Sequence, residues 1–263
     1  MLKLASLYSG SSGNSVYISS KNTHILVDAG LSGKRIEESL AHIGGNIKNI
    51  QAILISHEHS DHIMGAGVLS RRYKIPIYAN EKTWEAMRLC IKQIDPECIR
   101  VFSTGQPFKI GDIEVNTFNT PHDAVEPVGF NFCCDRKKAT IATDIGHINR
   151  SLLNNLVGSD IILLESNHDI EMLKVGRYPW PLKQRIMSDK GHLCNDIAAK
   201  VVAYLAVNGT KKFLLGHLSK ENNFPELAFQ TVKNALTEKS ITTGRDVYVG
   251  IAYRDRVSES LVI

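Results

Sequence analysis

The run from His57 to His62, with the sequence His-Glu-His-Ser-Asp-His, constrains this chain more than any other feature. It follows the apolar stretch Ala52–Ile55, which indicates a buried strand. Imidazole nitrogens and carboxylate oxygens are the ligands that zinc-like ions prefer. Side chains alternate along an extended chain, so His57 and His59 point to the same side. Asp61 and His62 follow after the chain turns, where they can reach a second ion.

Three further candidate ligands follow predicted strands later in the chain. His122 comes after the strand pattern of Glu114–Phe118, Asp144 after a short strand, and His217 after another apolar strand. Proteins of the α/β class place their chemistry at the ends of strands. A lone His or Asp there is usually a loop residue, but three of them behind the His57–His62 run indicate one metal site.

Composition restricts the class of protein without selecting a function. The chain has 263 residues, of which 43% are hydrophobic, enough for one large domain or two small ones. A net charge of +4 permits a polyanionic partner and does not require one. Five cysteines without a C-x-x-C pair favour a reducing compartment. We see no signal peptide and no apolar stretch near the roughly 20 residues of a membrane span. The expectation is a cytoplasmic protein.

Strand and helix patterns alternate along the whole chain, which implies sheets covered by helices. Predicted helices contain Ile36, Leu40 and Ile43, or span His62–Arg72, Glu81–Gln93, Asp196–Val207 and Glu226–Thr237. Predicted strands are Leu2–Tyr8, Ser15–Ser19, Thr23–Asp28, Ala52–Ser56, Lys74–Ala79, Asp160–Leu164, Lys212–Leu215 and Asp246–Val249, with hairpins in Val101–Phe118 and Val128–Ile141.

The ordered set of motifs resembles the metallo-β-lactamase fold superfamily over essentially the whole chain. Val27-Asp28-Ala29-Gly30 resembles its first motif, and the His57–His62 run resembles its second. The resemblance implies one hydrolase domain over residues 1–263, an α/β (α+β) four-layer αββα sandwich with a two-metal site at one edge. Under it the ligands are His57, His59 and His122 for one ion, Asp61, His62 and His217 for the other, and Asp144 for both.

Longer runs resemble a narrower group, the YycJ/WalJ family of bacterial metallo-β-lactamase-fold nucleases. That family implies a 5′-to-3′ DNA exonuclease linked to DNA repair. Cys194 departs from its pattern, because Ser is expected in the Gly-His-Leu-Ser-Asn run. The matching runs are Ser9–Ser15, Leu164–Asp169, Arg177–Pro179, Lys183–Ile186, Gly191–Asn195 and His217–Asn223.

The chemistry follows from two divalent transition metal ions, with Zn, Mn and Fe all compatible with His and Asp ligands. Such a pair lowers the pKa of a shared water and neutralises charge on the attacked group, which suits hydrolysis of a phosphodiester. We expect Asp61 to bind metal and orient the nucleophile. His192 is the candidate acid for the leaving oxygen, or a phosphate contact. The alternatives are that His192 packs a helix entrance and that Asp28, expected to orient a ligand by a hydrogen bond, is a turn residue.

Candidate DNA contacts lie in three regions, and each has an ordinary structural alternative. Ser11 and Ser12 belong to a loop that forms either a backbone nest for phosphate or a tight turn. The segment Lys174–Lys190 is basic with two aromatic residues, which suits single-strand binding, although it could be a solvated loop. Its candidate contacts are Arg177 and Lys183, and the family runs add His168 and Asn222.

Other functions of the same fold remain open from sequence. The expected partner is DNA, single-stranded or at duplex ends, but the site chemistry alone does not separate DNA from RNA. A glyoxalase-II-like thioester hydrolase shares the ligands, and diiron redox relatives typically carry Glu where His59 stands. A structural metal site would be closed and usually rich in Cys. Protein partners are not predicted.

Overall fold

Two β-sheets of seven strands each form the centre of the structure, a computed structural model that describes residues 1–263. Their inner faces pack against each other, and helices cover both outer faces. The four layers confirm the αββα sandwich expected from the sequence. The ligand-bearing loops all follow strands of these two sheets, so the sheet order positions the site.

The first sheet joins the two ends of the chain, because Lys3 pairs with Val262. Three successive strand pairs are parallel, so their carboxyl ends meet at one edge. Asp28 and the His57–His62 run follow strands at that edge. In spatial order the strands are β14 (Leu261–Val262), β1 (Lys3–Tyr8), β2 (Ser15–Ser19), β3 (His24–Val27), β4 (Ala52–Leu54), β5 (Ile77–Ala79) and β6 (Ile99–Val101).

The second sheet supplies the remaining candidate ligands. Its three parallel pairs place the loops after successive strands at one edge, where Asp144 and His217 lie. His122 follows a strand that runs in the same direction, because two antiparallel pairings separate it from the parallel group. In spatial order the strands are β13 (Tyr248–Ile251), β12 (Lys212–Gly216), β11 (Ile161–Glu165), β10 (Lys137–Ala142), β9 (Val128–Cys134), β8 (Ile113–Asn119) and β7 (Phe108–Ile110).

Strand β11 illustrates how the layers are held together. Ile161 and Leu163 face the core between the sheets, whereas Ile162 and Leu164 face the helices of the second sheet. Alternation along a strand produces this split, and burial on both faces explains why the strand is continuously apolar.

Nine α-helices form the outer layers. None of the helices combines the length and the apolar character that are needed to cross a bilayer. The helices are α1 (Gly33–His42), α2 (Ser60–Ile63), α3 (Ala66–Tyr73), α4 (Glu81–Ile91), α5 (Arg150–Leu156), α6 (Ile170–Val175), α7 (Trp180–Met187), α8 (Asn195–Val207) and α9 (Pro225–Glu238).

Two sequence predictions about elements are wrong in part. The predicted helix His62–Arg72 is broken into α2 and α3 at Gly65, whose N–H donates to Ala29 O at 2.7 Å. The predicted hairpin Val101–Phe118 is limited to β7 and β8, because β6 pairs with β5 in the other sheet. Helix α4 lies between β5 and β6, and a helical crossover of this kind produces parallel pairing.

Candidate metal centre

Three candidate site residues occupy sharp turns directly after strands. Asp28, Asp144 and His217 have φ values of 59°, 58° and 57°, in the left-handed region. Non-glycine residues are uncommon there, and each such conformation costs on the order of 1 kcal/mol. All three side chains are buried in one cleft. The costly backbone conformations therefore occur at residues whose side chains face the candidate site.

Gly30 allows two ligand-bearing loops to touch. A β-carbon at this position would lie 1.6 Å from the backbone oxygen of Asp61, a distance that only glycine avoids. Gly30 N–H also donates to Asn14 O, and Asn14 N–H donates to Asp61 O, both at 2.8 Å. The first sequence motif therefore fixes the backbone that carries Asp61.

The first ligand cluster consists of three histidines. His57 Nε2 and His59 Nδ1 face each other at 3.0 Å, and the ring of His122 lies 5.2 Å from both rings, centroid to centroid. His57 Nδ1 contacts the Ser56 hydroxyl at 2.9 Å. His122 Nδ1 donates to Gly191 O at 3.1 Å. Neutral partners thus hold two of the rings, and the other ring nitrogens converge.

The second cluster consists of Asp61, His62 and His217. His62 Nδ1 donates to the buried Asp28 carboxylate at 2.8 Å, the kind of hydrogen bond expected of Asp28. His62 Nε2 lies 3.6 Å from Asp61 Oδ2 and 3.0 Å from Asn14 Nδ2. His217 Nε2 is buried and has no hydrogen-bond partner, so it is available to a ligand.

Asp144 lies between the two clusters, and its carboxylate contacts histidines of both. Its Oδ1 is 3.7 Å from His122 Nε2, and its Oδ2 is 3.6 Å from His62 Nε2. The side chain is buried, and Oδ2 has no hydrogen-bond partner. A buried carboxylate oxygen without a partner is costly, which favours a cation at this point.

Glu165, the last residue of β11, belongs to the site and was missed by sequence reasoning. It is fully buried and accepts hydrogen bonds from His192 Nδ1 at 2.7 Å and from His217 Nδ1 at 2.8 Å. The Ile145 N–H also donates to it at 2.7 Å. One signal could have identified it: an acidic residue ends an apolar strand that lies between those leading to Asp144 and His217.

Electrostatics distinguish the two clusters in the metal-free protein. Burial, reinforced by His62, holds the pKa of His57 well below its usual value, and burial also lowers the pKa of His122. Burial alone would lower the pKa of His62, but Asp28 and Asp144 raise it to about 10. Asp144 and Glu165 likewise outweigh burial at His217 and raise its pKa to about 9.

The buried carboxylates respond to the same histidines. Burial would raise the pKa of Asp144, but His217 and His62 hold it well below its ordinary range. Burial also opposes ionisation of Glu165, whose pKa His192 and His217 lower to about 2. Both carboxylates are therefore ionised at neutral pH, and in the metal-free protein the protonated His62 and His217 balance their charge. A metal cation at this point would take the place of those protons.

The converging atoms fit divalent cations. Ligand atoms about 2.1 Å from an ion lie about 3.0–3.6 Å from one another, depending on the coordination angle. The separations of 3.0 Å between His57 and His59 and 3.6 Å between His62 and Asp144 agree with that spacing. Nitrogen and carboxylate donors without thiolate accept several transition metals.

His192, the candidate acid, lies beside both clusters. Its ring centroid is 5.1 Å from those of His122 and His217, and its side chain is 18% exposed. Asp144, Glu165, His192 and His217 also group closely enough to suggest a further metal position. There Glu165 already accepts hydrogen bonds from both histidines, so direct contacts account for the grouping.

The loop with Ser11 and Ser12 forms a turn whose hydroxyl-bearing tip is exposed. Gly13 N–H donates to Gly10 O, and Gly10 N–H donates to Asn14 Oδ1. These donors are used within the protein, so a phosphate nest would be limited to the backbone of the two serines.

Two predicted DNA contacts need correction because they are buried. Lys183 is 8% exposed, and its ammonium donates to Lys174 O at 2.7 Å, which ties α7 to α6. Asn222 is fully buried, and its backbone oxygen accepts from Asp169 N–H. Arg177 is exposed, as a DNA contact would be.

His168 is buried, and burial lowers its pKa to about 4. It lines a cavity of about 400 Å³ together with His192 and Cys194. The predicted contact between His168 and substrate therefore remains compatible with its position.

Comparisons with known proteins agree with this geometry. The sequence profile of the metallo-beta-lactamase superfamily matches residues 8–181. The chain is 44% identical over 243 residues to exodeoxyribonuclease YycJ of Bacillus anthracis, which covers 92% of each chain. It is 45% identical over 249 residues to exodeoxyribonuclease WalJ of Streptococcus pneumoniae, covering 94% of this chain and 93% of that one.

Solved structures share the fold at low identity. The metallo-beta-lactamase fold protein YhfI from Bacillus subtilis has a TM-score of 0.73 at 16% identity and covers 98% of this chain and 100% of its own. A diphosphatase from the PhnP family has a TM-score of 0.69 at 19% identity, covering 100% of this chain and 98% of its own. The fold, the matched profile and the relatives agree, so the chain belongs to the metallo-β-lactamase superfamily and, within it, to the YycJ/WalJ family.

Proposed function

We propose that this protein is a metal-dependent exodeoxyribonuclease that uses two divalent transition metal ions, Zn, Mn or Fe. The observation that carries the proposal is the buried carboxylate of Asp144, which lies between the two ligand clusters and within 3.7 Å of a histidine from each. Relatives at 44% and 45% identity are named exodeoxyribonucleases, which selects DNA as the substrate of this site. We include 5′-to-3′ polarity and a role in DNA repair in the proposal.

Each cluster holds one ion in this proposal. When bound, the two ions supply a nucleophilic water at neutral pH and offset the negative charge that develops on the phosphate. The protein keeps the ligand atoms in position through hydrogen bonds to the opposite ring nitrogens, which fix the tautomers of the histidines. The ligands are His57, His59 and His122 for one ion, Asp61, His62 and His217 for the other, and Asp144 for both.

Asp61 and His192 perform the proton and positioning steps. Asp61 is 23% exposed at its side chain, more than the other ligand carboxylate, so one oxygen can orient the attacking water. Glu165 accepts from Nδ1 of His192 and thereby directs the protonation of the ring. His192 Nε2 then donates its proton to the leaving oxygen of the cleaved strand. Glu165 acts through His192 and His217, as a positioning residue.

The proposal treats residues 1–263 as one domain and places it in the cytoplasm. The pairing of β1 with β14 supports a single domain, because both ends of the chain complete the same sheet. The five cysteines are free, which supports a reducing compartment.

The test uses end-labelled DNA and RNA oligonucleotides with 5′-phosphate or 5′-hydroxyl ends and protein loaded with Zn, Mn or Fe. We expect mononucleotides to be released from the 5′ end of DNA. Asp61→Ala should abolish release, and Asp196→Ala, at an exposed position in α8, should not. Turnover of RNA alone would replace the proposal with an RNA-processing nuclease, and turnover of a glutathione thioester without nuclease activity would indicate a glyoxalase-II-like enzyme.

A further inference from the structure

A cavity of about 550 Å³ lies beside the second ligand cluster. Leu218, Ser219 and Lys220 line it and directly follow His217. Ser12 lines it from the loop whose Asn14 contacts His62 at 3.0 Å. The cavity therefore adjoins the proposed site of bond cleavage, and its volume suits a small ligand or one unit of a polymer. We call it the Arg254 cavity.

The charge of the Arg254 cavity favours an anion. Arg35, Lys220 and Arg254 line it, against one acid, Asp255. The guanidinium of Arg254 is held in place, because it donates to Ser12 Oγ at 3.3 Å and to Leu218 O at 3.2 Å. Arginine has further N–H donors in the same plane, so it can also bind a phosphate.

An exposed aromatic ring completes the wall of the cavity. Phe224 lines it and is 46% exposed, so one face of its ring is open to a ligand. Cations next to an open aromatic face are the arrangement that binds single-stranded nucleic acid.

The segment Lys174–Lys190 fits this role less well. Its Lys183 ammonium is bonded to a backbone carbonyl, and its exposed ring, Trp180, belongs to the separate helix α7. No residue of the segment lines the Arg254 cavity. Its Arg185 pairs with Asp123, beside the ligand His122, so this cation near the site already has a partner. The Arg254 cavity brings cations and an exposed ring together.

We propose that the Arg254 cavity binds one nucleotide of a single DNA strand next to the scissile bond. Lys220 and Arg254 bind its phosphate, and its base stacks on Phe224. This inference rests on the proposed function, and it adds a substrate subsite outside the metal ligands.

The test measures binding separately from cleavage. Metal-loaded protein is titrated into a fluorescein-labelled thymidine decamer with phosphorothioate linkages, and anisotropy is recorded at several salt concentrations. Phe224→Leu keeps an apolar side chain but removes the ring, so Kd should rise about fivefold or more with the salt slope unchanged. Lys220→Ala should raise Kd and reduce the salt slope by about 0.7, the value for one phosphate contact on a single strand.

Matched controls come from helix α8. Tyr204 is 46% exposed, the same fraction as Phe224, and Lys200 is exposed like Lys220. Tyr204→Leu and Lys200→Ala should bind the decamer as the unaltered protein does. Circular dichroism melting of all four variants checks that each remains folded.

The outcomes separate this inference from the proposed function. The inference is overturned if the unaltered protein does not bind the decamer, or if both cavity variants bind within twofold of their controls. The inference is supported if the two cavity variants bind the decamer more weakly than their controls do, even if no DNA is degraded. In that last case the exonuclease proposal fails and the nucleotide site stands.

Discussion

The two ligand clusters are built from similar side chains but supported in different ways. In the first cluster, His57 and His122 are held by a hydroxyl and a backbone carbonyl. In the second, His62 and His217 are held by the buried carboxylates of Asp28 and Glu165. The pKa values follow this difference, lowered at His57 and raised to about 10 at His62.

The comparison indicates that the two metal positions differ in ligand basicity. A carboxylate behind a histidine increases the electron density at the ligating nitrogen and fixes the orientation of the ring. The same basicity retains a proton when no metal is present, so the second cluster must lose protons to bind an ion. In the proposed site, Asp144 is the ligand that the two clusters share.

Asp144→Asn should have the largest effect, because it disrupts both clusters. The difference in metal affinity between the two clusters should then disappear. The amide replaces one oxygen with an N–H₂ group that cannot bind a cation, so nuclease activity should fall by about 1,000-fold or more. Metal content measured by inductively coupled plasma mass spectrometry should fall as well. Asp196→Asn serves as the control, and equal loss in both variants would indicate a nonspecific effect.

Glu165→Gln should weaken the second cluster and leave the first intact. The variant retains the size of the side chain but offers its histidine partners one acceptor oxygen instead of a carboxylate. Loss of such supporting groups typically costs 10–100-fold in affinity or activity, and we expect about 100-fold because two histidines depend on Glu165. Competition with a chelator should show one weakened metal site per chain. Two equally weakened sites would contradict the proposal that Glu165 supports only the second cluster. Glu238→Gln, exposed near the end of α9, is the control.

Asp28→Asn tests the same support at His62 alone. Asn tolerates the left-handed backbone of position 28, so the fold should persist. We expect activity to fall about 10-fold. A chelator titration should again show that one of the two metal sites is weakened. Unchanged metal affinity would show that Asp28 acts only as a turn residue.

Ser56→Ala should have the smallest effect. Its hydroxyl is a neutral partner of His57, and it also donates to Asp28 Oδ2 at 2.8 Å. Loss of a neutral hydrogen bond costs about 1 kcal/mol, which corresponds to about fivefold in activity. A loss as large as that of Glu165→Gln would remove the proposed difference between carboxylate and neutral support.

Sequence patterns predict the fold and indicate the candidate ligands because both signals are local. The continuous apolar run of β11 and the compact His57–His62 run need no knowledge of distant residues. The predicted ends of strands also place His122 and Asp144 in loops at one edge of the sheet. In the structure, His122 Nε2 lies 3.7 Å from Asp144 Oδ1.

The missed features depend on contacts between distant parts of the chain. Glu165 gains its role from histidines 27 and 52 residues away. Lys183 resembles a surface cation in sequence, but its ammonium donates to the backbone carbonyl of Lys174 in α6. Gly65 lies where the predicted helix breaks. Only glycine fits there, because a β-carbon would lie 2.2 Å from Leu31 O. The contacts of Lys183 and Gly65 have no local signal in composition or spacing, and the acid that ends the apolar strand β11 gains its meaning only from the order of the strands in the sheet.

An anomalous-difference map from a crystal of the metal-loaded protein would show whether the two clusters each bind an ion. We expect two peaks per chain within one cleft, one about 2.0–2.2 Å from the ligand atoms of His57, His59 and His122, the other at that distance from Asp61, His62 and His217. Asp144 should contact both peaks. A single peak, or peaks held by other residues, would contradict this proposal.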